Sequence, residues 1–334
     1  MKTVLSGIRP TGNLHIGNYY GALVNFLKMQ EIHRCFFFIA DWHSLTTHPD
    51  PKLLRVNVIN VLAEYLACGL DPKKATLYLQ SNVPEIAELY LLLNMHAYLG
   101  ELEKTVSFKE KARQNPQNVN AGLLTYPVLM ATDILIHNAD YVPVGKDQEQ
   151  HLEMTRNFAQ RFNRKYQTNI FKMPTAYIYG EENLIKIPGL DGSGKMGKSD
   201  GNCIYLIDEP KVIEKKIKGA LTDNGPTGEN TPKPDYIENL FTILRAVSNK
   251  DVVEHYESLW NRGEQRWYGN LKKQLAEDVI NLTTPVRERI KDIKNDTGYL
   301  EQVVEEGTAK ARQSAAQTLH SVREIMGFKP IAGK

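Results

Sequence analysis

Residues 1–18 read MKTVLSGIRPTGNLHIGN. Residues 2–5 (KTVL) are expected to be a strand. Residues 6–12, rich in Gly and Pro, are expected to be a loop, and a helix should begin near Gly17 and run to about Gln30. A glycine at a helix start lets a ligand approach the backbone closely. The free N–H groups and positive end of that helix suit phosphate. His15 and Asn18 add side-chain donors about one turn apart. The plain alternative is a tight turn between strand and capped helix.

The rhythm continues outward from this stretch. Residues 35–40 form an unbroken apolar run, as in a strand buried on both faces. Leu54, Val58, Val61, Leu62 and Tyr65 fall at helical spacing, and Gly69 can cap that helix. Residues 75–80 read as a further strand. Strand–helix alternation of this kind predicts an α/β fold, a Rossmann-like doubly wound parallel sheet. Ligands of such sheets sit beyond the C-terminal strand ends, where the loops at residues 6–12 and 41–43 fall.

After about Asp208 the pattern becomes helical. Ile213, Ile217, Ala220 and Leu221 share one face. So do Ile237, Leu240, Phe241, Leu244 and Val247, and then Leu271, Leu275, Val279, Leu282, Val286 and Ile290. Residues 299–326 are helical again. The expected division is a nucleotide-binding domain at residues 1–200 and a C-terminal all-helical domain at residues 201–334. The joining stretch, residues 188–202 (PGLDGSGKMGKSDGN), is rich in Gly, Asp and Ser and is expected to be mobile.

Composition narrows the class. Of 334 residues, 42% are hydrophobic and 24% charged, which supplies ample core. A net charge of +2 excludes a generally basic nucleic-acid coater, so any nucleic-acid contact must use local patches. Cys35, Cys68 and Cys203 make neither a CxxC pair nor a zinc pattern, which suits a reducing cytoplasm. No long uncharged apolar run suggests a membrane span. The N-terminus lacks a signal-peptide core and reads directly as the first strand.

A second segment, Lys195-Met196-Gly197-Lys198-Ser199, carries two lysines on a Gly-rich loop. Such lysines can neutralise charge on a departing pyrophosphate, and a flexible loop lets them arrive as the reaction proceeds. Alone, the segment also reads as a solvated basic linker. Together and in this order, the two segments resemble the HIGH and KMSKS signatures of class I aminoacyl-tRNA synthetases. That resemblance implies an ATP-dependent aminoacyl-adenylate reaction, with Mg²⁺ held mainly through the phosphates and no tightly bound cofactor.

Longer blocks resemble the bacterial tryptophanyl-tRNA synthetases over nearly the whole chain. They are residues 6–23 (SGIRPTGNLHIGNYYGAL), 108–111 (FKEK), 120–135 (NAGLLTYPVLMATDIL) and 142–153 (VPVGKDQEQHLE). The residues make chemical sense of the likeness. Asp133 lies in an apolar stretch, and an unpaired buried charge is costly. An indole N–H could supply the missing donor. A site built on such a polar pair can reject an analogue by about 10⁴–10⁵-fold. Met130 shares the helical face of Asp133 and can pack on an indole. Val142 and Val144 alternate in an expected strand and can form a wall.

The resemblance implies further roles. Tyr126 and Gln148 match positions for the ammonium and carboxylate of tryptophan, His43 matches a pocket histidine, and Ser6 and Gly7 complete the tryptophan set. For ATP it implies Arg9, Pro10, Thr11, Gly17 and Asn18 from the first segment. Gly145, Asp147, Lys195, Met196 and Lys198 complete that set. Catalysis falls to His15, Asn18, Lys111, Lys195 and Lys198. The helical part is implied to read the tRNA anticodon, with Lys215, Lys216 and Lys218 as one basic cluster, and the implied assembly is a homodimer.

Plain readings stand beside these. Asp133 can cap a helix or pair with a buried Lys or Arg. Met130, Val142 and Val144 can be ordinary core, His43 a structural histidine, Tyr126 beside Pro127 a helix start, and the FKEK and Lys215–Lys218 lysines a solvated face. Three rivals remain: a nucleotidyltransferase using the same phosphate chemistry, a tyrosine-specific relative, and a non-catalytic paralogue that binds tRNA or amino acid. The long helical part argues against the simplest of the first, and the presence of Lys195 and Lys198 against the last.

Three departures from the family pattern stand out. Arg9 replaces Gln, Trp42 replaces a Gln and is expected to alter the pocket floor, and Gly197 replaces the central Ser of KMSKS.

Overall fold

Among the described residues, five strands form one parallel sheet in the order β3-β2-β1-β4-β5. They are β1 (Thr3–Ile8), β2 (Arg34–Ile39), β3 (Ala75–Leu79), β4 (Tyr141–Val142) and β5 (Thr175–Ala176). The computed structural model describes residues 1–145, 148–177 and 186–328. Register runs Thr3 opposite Arg34 through Ile8 opposite Ile39, and Cys35 opposite Ala75 through Ile39 opposite Leu79.

The expected strands appear with shifted ends. β1 extends through Ser6, Gly7 and Ile8, which the Gly-rich composition had suggested as loop. Pairing with Phe37, Phe38 and Ile39 overrides the weak strand propensity of glycine. A β-carbon on Gly7 would overlap the Phe38 ring, so this glycine is what lets that ring lie against β1. β4 stops at Val142, so Val144 lies beyond the strand rather than alternating within it.

The first helical run begins at Ile16–Asn18, widens into a π-helical turn at Tyr19–Leu23 and continues as α1 (Val24–Ile32). α2 (Pro51–Ala67) starts where the Asp50 carboxylate accepts the Leu53 N–H at 2.9 Å, with Pro51 in the first turn. It ends before Gly69, whose φ of +110° suits only glycine. α3 (Pro84–Asn94), α4 (Val106–Gln114), α5 (Ala121–Ile136) and α6 (Glu149–Lys165) follow. Tyr126 and Pro127 lie inside α5 rather than at its start. The start is set by Asn120, whose side chain accepts the Leu123 N–H at 2.9 Å.

The helical remainder comprises α7 (Pro210–Lys218), α8 (Asp235–Val247), α9 (Lys250–Asn261), α10 (Tyr268–Asn295) and α11 (Thr297–Ile325). α7 ends before Ala220 and Leu221, and Leu221 is largely exposed. No helix among the described residues is long and apolar enough to cross a membrane.

Alternation along the strands builds two cores. Val4, Cys35, Phe37, Ile39, Ala75 and Leu77 face one layer with α1, α2, α7, α8 and α10. Leu5, Phe36, Phe38 and Tyr78 face the other with α3, α5, α6 and Ala311, Ala315, Leu319 and Val322 of α11. The last helix therefore returns to the nucleotide fold. It lies against β3, the edge strand, so closely that a β-carbon on Gly307 would overlap the Leu77 carbonyl oxygen. Covering an edge strand in this way blocks pairing with other chains. All three cysteines are free and buried.

Candidate active site

A cavity of about 960 Å³ opens at the C-terminal ends of β1, β2 and β4. All nine residues expected to meet the amino acid line it: Ser6, Gly7, His43, Tyr126, Met130, Asp133, Val142, Val144 and Gln148. Arg9 and Gly145 from the expected nucleotide set, and Lys111 from the expected catalytic set, line the same cavity. Asp147 lies outside the described residues.

Asp133 is 1% exposed. Its partners are neither Lys nor Arg. His43 Nε2 lies 2.9 Å from Oδ2, and Gln80 Nε2 donates to both oxygens at 2.9 and 3.0 Å. Burial pushes this carboxyl above its ordinary range, against the bonds from His43 and Gln80. Those bonds occupy only part of a carboxylate's roughly four lone-pair sites, so an acceptor position stays open toward the cavity.

Elements behind the site hold this arrangement. His43 sits on the short helix Asp41–Ser44 after β2, and Gln80 follows β3. Asp41 accepts the Ser81 N–H at 3.0 Å and also the Ser81 hydroxyl, which locks the two loops together. Gln80 escaped the sequence reading. Its one signal was position: a polar residue closing a buried strand at the end where ligands bind.

A second buried network sits across the cavity. The Tyr126 hydroxyl meets Ser107 and His151 Nε2, the latter at 2.7 Å. His151 Nδ1 lies 2.9 Å from Gln148 Oε1. One imidazole thus joins Tyr126 and Gln148, the two groups expected at the zwitterionic head. Ser107 and His151 were also missed, because nothing local marks a side chain as a bridge between distant positions.

The cavity mouth is cationic. Lys111 Nζ stands 4.4 Å from the Tyr126 ring centre. Burial, and then Arg9, lower the Lys111 proton affinity. Arg9 is half-buried, reaches the Thr47 hydroxyl at 3.4 Å, and keeps a buried Nε without a partner. Neither cation has a carboxylate partner among the described residues. Trp42 does not line this cavity. It lines a neighbouring groove of about 390 Å³ with Tyr90, Tyr126 and Leu129.

The remaining candidates gather at the turn before the first helix. Asn18 Oδ1 accepts the His15 N–H at 3.1 Å, so Asn18 also serves as the cap of the plain reading. Gly17 makes room for protein as well as for any ligand, since a β-carbon there would come 2.8 Å from His15 Nδ1 and 3.4 Å from Met196. Pro10 is buried and Thr11 exposed. Lys198 Nζ donates to the Gly12 carbonyl at 2.7 Å. Burial, then Lys198 and Lys195, push the His15 imidazole down to about 4. It is therefore neutral at physiological pH and available for hydrogen bonding rather than as a cation.

The lysine loop is tied in place by Asn202. Its amide donates to Asp191, Ser193 and the Lys195 carbonyl, and its carbonyl oxygen accepts the Gly197 N–H at 2.8 Å. At Gly197 a β-carbon would meet only a carboxylate oxygen of Asp200 at 2.5 Å, the free end of an exposed side chain that can swing away. Gly197→Ser is therefore expected to change kcat by less than about tenfold, under 1.4 kcal/mol in barrier height. A hundredfold change in steady-state turnover would contradict this. Of the three lysines in the expected basic cluster, Lys216 is engaged internally. It bonds Asp208 at 2.6 Å and stands over the Tyr205 ring, while Lys215 and Lys218 are exposed. Among the described residues no group of three or more His, Cys, Asp or Glu forms a metal site.

Comparison with known proteins bears on this geometry. The family described as tRNA synthetases class I (W and Y) matches residues 1–284. The tryptophan–tRNA ligase of Porphyromonas gingivalis is 61% identical over 98% of this chain and 100% of its own. The chain belongs to the bacterial tryptophanyl branch of the class I tRNA synthetases. The tryptophan–tRNA ligase of Clostridium tetani is 42% identical to this synthetase, over 98% of the chain and 96% of the relative. The tryptophanyl-tRNA synthetase of Campylobacter jejuni, solved with ADP and tryptophan, superposes with a TM-score of 0.87. It is 34% identical and covers 97% of this chain and 99% of its own.

Proposed function

We infer that this synthetase is an ATP-dependent tryptophan–tRNA ligase. The observation that carries the reading is the single cavity lined by all nine expected amino-acid residues, with buried Asp133 in its wall. The indole N–H donates to the open position on Asp133, while Met130, Val142 and Val144 pack on the ring. Tyr126 and Gln148, held by His151, receive the ammonium and carboxylate.

Chemistry then proceeds in two steps. The tryptophan carboxylate oxygen attacks the α-phosphorus of ATP. A P–O bond forms, the bond to the bridging oxygen breaks, and pyrophosphate leaves. Next, a terminal ribose hydroxyl of tRNA attacks the adenylate carbonyl, an ester forms, and AMP leaves. Magnesium enters with the phosphates of ATP. Positioning and charge stabilisation supply the catalysis. Arg9, Lys111 and Gly145 meet the nucleotide at the cavity mouth. Pro10, Thr11, His15, Gly17 and Asn18 form the phosphate turn, and Lys195, Met196 and Lys198 close over it.

Residues 1–200 carry this chemistry, and the helices of residues 201–334 contact tRNA(Trp), with α11 doubling as cover for the sheet edge. A homodimer fits the large exposed apolar side chains Leu91, Met95, Tyr98, Leu99 and Val106 on and between α3 and α4. The place of work is the cytoplasm, where tRNA is charged.

The test is pyrophosphate–ATP exchange with tryptophan, tyrosine and phenylalanine in parallel. Exchange with tryptophan alone is expected. Exchange with tyrosine would overturn the specificity and leave the adenylate chemistry standing. Silence with all three, from folded protein, would overturn both.

A further inference from the structure

Glu64 lies in the middle of the buried stretch of α2, flanked by Val61, Leu62, Ala63, Tyr65 and Leu66, and is 1% exposed. A carboxyl in such a place is costly unless something uses it. One oxygen accepts the Leu14 N–H at 2.7 Å, and the other is buried without a partner. Leu14 immediately precedes His15. On the same turn, the Gly12 carbonyl accepts Lys198 Nζ at 2.7 Å. The Leu14 carbonyl accepts the Leu206 N–H at 2.9 Å, and the Ile16 N–H bonds the Ile204 carbonyl at 3.0 Å. Glu64 and the lysine loop thus grip one turn from two sides.

We propose that Glu64 is a positioning residue for the nucleotide site, its buried carboxylate holding the phosphate-binding turn and keeping Lys198 poised beside it. This rests on the synthetase reading above. The negative charge raises the proton affinity of Lys198 against the effect of burial. Removing that charge lets the lysine explore more rotamers, and ATP must then collect it at an entropic cost, about fivefold in kcat/KM.

The carboxyl titrates where the effect can be read. Burial pushes Glu64 up to about 7, against the Leu14 bond, Lys198 of the loop and Lys294 of α10. Cys68, one turn along α2 and near Arg289 of α10, is pushed up to about 12 by burial and stays a thiol at neutral pH. His15, down near 4, does not titrate in the window either. Glu64 is therefore protonated below neutrality and ionised above it.

Pyrophosphate exchange is measured from pH 6 to 8 with saturating tryptophan and excess magnesium, which keeps the nucleotide fully ionised. In the unaltered protein, kcat/KM for ATP is expected to rise about fivefold across this range. Glu64→Gln keeps an oxygen for the Leu14 N–H and loses the charge. It is expected to give a flat profile at the low-pH level, with KM for tryptophan unchanged. A purely structural role would leave the slope in place, so a wild-type slope in Glu64→Gln overturns the proposal. A flat profile in the unaltered protein, with kcat/KM for ATP at pH 8 the same in Glu64→Gln, overturns it as well. Should Glu64→Gln fail to fold, Glu64→Leu carries the same comparison. Absence of any tryptophan-dependent exchange in the unaltered protein is a different result, and refutes the synthetase reading instead.

Discussion

Asp133→Ala is expected to lower kcat/KM for tryptophan by about 10³-fold, roughly 4 kcal/mol of transition-state stabilisation. The carboxylate is buried and receives His43 and Gln80, so its removal strands two protein donors and, in the proposed binding mode, the indole N–H. Each unpaired buried donor costs about 1–3 kcal/mol, and the sum explains the size of the loss. Unfolding is the competing explanation, so KM for ATP and the far-ultraviolet circular dichroism should be measured on the same preparation. Both are expected to stay near their original values. A loss below tenfold would remove Asp133 from the specificity role. So would a parallel rise in KM for ATP.

Lys195→Ala and Lys198→Ala are each expected to reduce the rate of adenylate formation by about 10²–10³-fold, the scale reported for losing one preorganised charge-stabilising donor. KM for tryptophan should not move, because neither lysine lines the amino-acid cavity. Neither is paired with a carboxylate among the described residues, so each is available to the leaving group. In the proposed mechanism, neutral His15 offers a hydrogen bond beside them without acting as a third cation. Single-turnover formation of the adenylate separates this step from product release. A rise in KM for ATP at constant rate would show that the lysines bind the ground state and do not act on the transition state.

Much of this cavity was legible in the order of residues because its expected lining residues lie on a few stretches with strong local pattern. The apolar run at residues 35–40 became β2 at Arg34–Ile39. The helical spacing of Met130 and Asp133 survived in α5 and turned both into one cavity. What escaped was reciprocal. Gln80 matters because of Asp133, 53 residues away, His151 because of Tyr126, and Glu64 because of Leu14. A single sequence displays the polar residue but not its partner. Short elements escaped for another reason. β4 and β5 have two residues each, too few to show a period, and exist because the sheet extends to them. The return of α11 to β3 was likewise invisible, since periodicity gives a helix an apolar face without naming the surface it covers.

That return has a consequence during synthesis. Chains fold from their N-terminus as they emerge, and all five described strands have been made once residue 176 is out. The outer edge of β3, however, waits for residues 297–325, the helix that covers it. A chain halted in that interval offers the β3 edge that faces away from β2 to any neighbour emerging beside it. A protein whose own work sustains translation is therefore most exposed to self-association when translation stalls near its end.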